Sequence, residues 1–178
     1  MAMDHFREEV VVRHRRGIED AAYYSAFAVM VLLGLGGLLL LSSLTASFNV
    51  FGLVFGVALT GMAAALLLCK DRIRTEYEYT FTNGELDFAR VYNNQKRENL
   101  GTIRMKNVEA FGKVRSESFQ KLINMPGMRR KNWFLNRGAE LFYFYYQKEN
   151  QKTMIVLEPS PEMAEMIRKY LPHGAWQA

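Results

Sequence analysis

Between Asp20 and Lys70 the chain carries no charged residue. That interval holds two apolar runs, Ala21–Leu41 and Phe48–Cys69, parted by the short polar joint Ser42–Ser47. At ~1.5 Å per residue each run spans roughly 31–33 Å as a helix, the thickness of a hydrocarbon core. The pattern predicts a transmembrane α-hairpin. Residues 70–178 are then left for one small domain.

Arg13, Arg15 and Arg16 precede the first span, Lys70, Arg72 and Arg74 follow the second, and the joint has no charge. Basic flanks stay in the cytoplasm. Both termini are therefore expected there, in a multi-pass protein of the cell membrane, with the joint outside. The spans lack Asp, Glu, Lys, Arg and His, the groups that ion and proton pathways place at depth. Gly34, Gly36 and Gly37 in the first span stand at the depth of Gly52 and Gly56 in the second. Small residues let helix backbones approach closely. Two readings fit Gly34, Gly37, Gly52 and Gly56: packing of the two spans on each other, or a face for a homo-oligomer or another membrane protein.

Cys69, the only cysteine, rules out an intrachain disulfide and a cysteine-based zinc cluster. It reads as a small helix residue, with acylation the alternative. In the arm of residues 1–20, Phe6, Val10, Val11 and Ile18 could share one helix face. That suggests a short interfacial helix, against a solvated juxtamembrane arm. His5 and His14 are expected to be solvent-exposed.

The domain opens with a β-hairpin. Tyr77, Tyr79 and Phe81 alternate with Glu76, Glu78 and Thr80, the period of a half-buried strand. Asn83-Gly84 supplies a two-residue turn that tolerates positive φ. Folding there sets Phe81 against Leu86 and Tyr79 against Phe88, so turn and pattern agree. Asn93-Asn94 predicts a second turn. Residues 96–103 and 108–114 predict third and fourth strands of an antiparallel meander. Ser116–Ile123 reads as a short helix. Leu141–Tyr146 reads as a strand covered on both sides, paired with Lys152–Leu157. The last element is a helix over 160–171. Ser160 is its cap, Pro161 its first residue, and Met163, Met166, Ile167, Tyr170 and Leu171 its apolar stripe.

The net charge of +5 is concentrated. Residues 1–69 sum to −1 and residues 70–178 to +6, while Val114–Gly138 alone carries +5. Arg129, Arg130, Lys131, Trp133 and Arg137 combine basic and aromatic groups. They suit the headgroups of an anionic leaflet or a partner, against a solvated loop whose Trp133 plugs the core. Nucleic acid is not expected beside a bilayer. Glu76, Glu78, Glu85 and Asp87 form the one dense carboxylate cluster, and hairpin polarity accounts for them. With no constellation of acid, base or metal groups, no catalytic, cofactor-binding or metal-binding residue is assigned, and no enzyme is expected.

Two spans, a meander opened by Tyr77-Glu-Tyr-Thr-Phe-Thr-Asn-Gly-Glu-Leu-Asp, a late hairpin and a closing helix resemble bacterial membrane proteins with a pleckstrin-homology-like (PH-like) domain. The YcxB-like type is the most similar, and uncharacterised two-span bacterial proteins share the pattern. The resemblance implies an α+β domain: antiparallel sheets, packed or partly rolled into a barrel, closed by the terminal helix. It implies binding or scaffolding as a membrane-anchored interaction module. The alternative is an accessory subunit of a transport or cell-envelope complex. Two departures stand out. Gly101-Thr102-Ile103 occupies a region where YcxB-like domains tend to carry Trp. The tight Asn83-Gly84 turn replaces the long basic first-hairpin loop of phosphoinositide-binding relatives.

Overall fold

The computed structural model describes residues 5–177. They divide into two compact units. One holds Arg15–Thr75 and Tyr92–Gln95; the other holds the residues up to His14, Glu76–Val91 and those from Lys96 onward.

In the first unit, α1 (Arg16–Ser43) and α2 (Val50–Cys69) are long and apolar enough to cross a membrane. Helix α1 starts earlier than the apolar run. Gly17–Asp20 contains no helix breaker stronger than one glycine, and Glu19 in the first turn suits the helix dipole. Asn49 caps α2, its side chain accepting from the Phe51 N–H at 2.9 Å. In the joint, the Ser42, Ser43 and Thr45 hydroxyls donate to the carbonyls of Leu39, Leu40 and Ser42. Leu32, Leu39, Phe51 and Leu68 stand exposed. A helix apolar on all sides belongs in lipid when protein does not cover it.

In the second unit, β1 (Phe6–Val11), β2 (Thr75–Thr82), β3 (Glu85–Tyr92) and β4 (Lys96–Arg104) form one sheet in that order. The second sheet has the order β6 (Arg129–Trp133), β8 (Gln151–Leu157), β7 (Phe142–Lys148), β5 (Ala110–Lys113), β9 (Trp176–Gln177). Helices α3 (Glu117–Ile123) and α4 (Pro161–Tyr170) complete it. The Ser116 and Ser160 side chains cap these helices.

Tyr79, Phe81, Leu86 and Phe88 of the first sheet share one core with Phe111, Phe142, Phe144, Ile155 and Leu157 of the second. Met163 and Ile167 bring α4 onto it. Tyr143, Tyr145, Met154 and Val156 point to the opposite face, covered by Phe119, Leu122 and Ile123. Successive residues of β7 thus enter two cores, which explains its unbroken apolar run.

The Asn83-Gly84 turn forms as the sequence predicts, with φ of 46° and 90°. The Tyr79 and Phe88 rings meet edge to face at 5.6 Å. A Cβ on Gly84 would stand 2.9 Å from Tyr170 Cδ1, so glycine is needed for space as well as for φ.

Several expectations are corrected. Residues 6–11 are not an interfacial helix: they form β1, antiparallel to β2, with Val11 opposite Tyr77. The β-branched run Val10–Val12 favours that outcome. His5 is not a free side chain, since its Nδ1 lies 2.7 Å from the Tyr170 hydroxyl. The fourth strand leaves the meander for the second sheet. That sheet is mixed, because β6 runs parallel to β8 and β9 parallel to β5. Of the two arrangements expected, packed or partly rolled, the sheets share one core and do not close into a barrel. Counting β1 moves Asn83-Gly84 to the second hairpin; the connection between β1 and β2 contains both apolar helices.

Candidate functional site

Register defines one end of the second sheet. Trp133 pairs with Leu157, Leu157 with Phe142 and Phe142 with Lys113. Beyond this row the chain leaves β5 through Val114 and Arg115 and enters β7 through Arg137–Leu141. The Val114 N–H donates to the Leu141 carbonyl at 2.9 Å and joins the two segments. Between them lies a cleft of about 300 Å³, lined by Lys113, Arg115, Arg137 and Glu140 among others. Lys113 Nζ and Glu140 Oε1 pair at 2.5 Å. Among the described residues, Arg115 and Arg137 have no ion pair or hydrogen bond. Their charge is therefore left for solvent or a ligand.

The loop carrying Arg137 is fixed by a part-buried polar network around the buried Asn136. Glu158 Oε2 accepts from the Leu135 and Asn136 N–H groups at 3.3 and 3.0 Å. Asn136 Nδ2 donates to Glu158 Oε1 at 2.8 Å and to the Val12 carbonyl at 2.9 Å. Asn136 Oδ1 accepts from the His14 N–H at 2.9 Å. The cleft wall is thereby tied to the last residues before α1.

The basic run 129–131 lies elsewhere. Arg129 pairs with Thr153, four residues from the Trp133 row, or about 13 Å away at ~3.3 Å per residue. Arg129 and Arg130 are exposed, and the Arg130 guanidinium donates to the Ile123 carbonyl. Lys131 Nζ stands 5.0 Å from the Trp133 ring centroid. Desolvation, then Arg129, lowers the Lys131 pKa. The expected basic-aromatic patch is thus two groups of cations. Trp133 touches the second group only through Lys131. Only 5 % exposed, it packs at 4.6 Å against Phe88, and its carbonyl accepts from the Tyr79 hydroxyl. Its expected contact with headgroups is corrected: the indole fills the core.

The glycines let α1 and α2 pack on each other. A Cβ on Gly37 would meet Thr60 Oγ1 at 2.4 Å and the Gly56 carbonyl at 3.0 Å; one on Gly56 would meet Leu41 at 2.8 Å. Gly34 faces Ala63 and Gly52 faces Leu44 at longer range. At one end of the helices, the Arg74 guanidinium lies 4.1 Å from the Tyr23 ring centroid and pairs with Asp20 at 2.7 Å. Lys70 Nζ reaches Asp71 at 2.9 Å and the Tyr23 hydroxyl at 3.3 Å. Asn93 Nδ2 donates to Asp71 at 3.1 Å. Tyrosines beside cations are the composition of a membrane–water boundary.

A second cluster escaped sequence reading. The Glu9 carboxylate accepts from the Ser160 N–H at 2.9 Å, from the Ser160 hydroxyl, and from Arg7 Nε at 2.6 Å. Arg7 also reaches Glu162 at 3.3 Å. Bonding to its own backbone N–H and to Ser160 lowers the Glu162 pKa, with the Arg7 charge adding to it. These contacts hold β1 to the start of α4. The carboxylate-rich hairpin is occupied by cross-strand partners: Glu78 pairs with Arg97 and Glu85 with Arg104, both at 2.9 Å, while Asp87 accepts from Thr102. Among the described residues no His, Cys, Asp and Glu side chains gather in a group that could hold a metal.

Two facing sheets closed by a C-terminal helix, with two membrane-length helices in the same chain, define a PH-like protein with candidate membrane spans. The chain belongs to the family described as "Bacterial PH-like domain (DUF6106)", whose model it matches over residues 3–177, through both apolar helices. No curated protein and no solved structure matches it.

Proposed function

We propose that this protein is a non-enzymatic, membrane-anchored interaction module of the bacterial cell membrane, with both termini in the cytoplasm. One observation carries the reading. Val11 precedes both apolar helices, Tyr77 follows them, and the two pair in one sheet. Paired strands lie on one side of a bilayer, so the intervening chain crosses an even number of times. The basic flanks and the uncharged joint favour the cytoplasm as that side. The exposed cations of residues 113–137 supply a surface for anionic headgroups or for a partner.

Crosslinking in native membranes, followed by capture of the full chain, tests this reading. A discrete co-purifying protein, lost when crosslinker is omitted, is the expected result. Recovery of the chain alone, together with a measurable turnover by it, would contradict the reading.

A further inference from the structure

We infer that the cleft between Lys113–Arg115 and Arg137–Leu141 binds the phosphate of an anionic phospholipid headgroup. The inference rests on the proposed membrane anchoring and adds a ligand and its contacts. The cleft has the features such a ligand needs. Its one lining acid, Glu140, is engaged by Lys113. Arg115 and Arg137 therefore face the cleft with uncompensated charge. A guanidinium offers a planar fork of donors that matches phosphate oxygens. At about 300 Å³ the cleft sits at the lower bound of small-molecule sites, enough for a headgroup.

Position favours lipid as the source of the phosphate. Asn136, next to Arg137, is bonded to Val12 and His14, and α1 starts at Arg16. The arginine-bearing loop is thus bonded to residues that lie two and four positions before that helix in the chain. Arg129 and Arg130 stand about 13 Å along the strand from that end. Their charge is equal, but neither side chain lines this cleft.

The test uses the full chain in neutral detergent and measures binding of short-chain phosphatidylglycerol, soluble glycerol phosphate and inorganic phosphate. The expected order is lipid far ahead of the two soluble anions. Arg115→Gln with Arg137→Gln should weaken lipid binding by about tenfold or more, through loss of charge-assisted bonds. Arg129→Gln with Arg130→Gln should change it less than about twofold. All four side chains are exposed, so thermal unfolding without ligand checks that the fold is kept. Unchanged lipid binding in the Arg115/Arg137 variant would overturn the site. Equal binding of glycerol phosphate would overturn lipid as the ligand. Failure of the capture experiment with a normal lipid response would count against the interaction module and not against the cleft.

Discussion

Val11 stands directly opposite Tyr77 in the first sheet, although the entire apolar hairpin lies between them in the chain. The apolar helical hairpin is thus an insertion between two paired strands. Residues 6–11, which precede it, form a strand of the folded domain.

Removing residues 1–14 from the full chain should therefore destabilise the PH-like unit. The loss includes the β1 ladder, the buried Val11 and the Glu9 bonds to Ser160. Several kcal/mol would lower the melting temperature by roughly 10 °C, read by thermal unfolding in detergent. Phe6→Ser, at a 59 % exposed position, should leave it unchanged.

Asn136→Ala should cost about 1–3 kcal/mol, because the buried Asn136 amide holds Glu158, Val12 and His14 together. Amide exchange reads it locally: the His14 N–H loses its acceptor and should exchange faster. Asn136→Asp sets a second carboxylate beside Glu158. It should cost more than the alanine variant, because like charges then meet at that point.

Gly37→Leu should loosen the helix pair, since even a Cβ there collides with Thr60. Gly61→Leu should not, because a Cβ at that position meets nothing within 4 Å. Crosslinking between cysteines placed on α1 and α2 distinguishes the two. Equal yields would contradict the assigned packing face.

The alkaline limb of stability should carry a tyrosine signature. Burial pushes the Tyr79 phenol well above its ordinary value of 10.0, and also raises Tyr143, Tyr145 and Tyr146. The folded chain keeps protons that the unfolded chain releases. Stability is full below pH ~10 and falls as pH rises beyond it. Phenolate absorbance should stay short of nine ionised tyrosines until unfolding, then complete in one step.

Local chemistry made part of this fold legible. Asn83-Gly84 fixed its own register, Ser160-Pro161 announced α4, and the uncharged interval announced the helices. Strand β1 was obscured because its inward positions are Arg7 and Glu9, whose partners lie on α4, while Phe6 and Val10 face out. The parallel pairing of β6 with β8 depends on long-range order that periodicity does not carry. Of the candidate cations, Arg137 was found in the cleft, and Arg115 was counted only as charge. Their juxtaposition depends on the register of β5 and β7, which neither segment encodes alone.

The central claim is that the chain crosses the membrane twice between β1 and β2, with the sheets on the cytoplasmic side. Single cysteines in a Cys69→Ser background test it most directly, at Glu8, Thr45 and Gln151, labelled with a membrane-impermeant maleimide. The account predicts labelling of Thr45→Cys in intact cells, and of Glu8→Cys and Gln151→Cys only after the membrane is opened. Labelling of Glu8→Cys or Gln151→Cys from outside, or of none of the three until the membrane is opened, would contradict it.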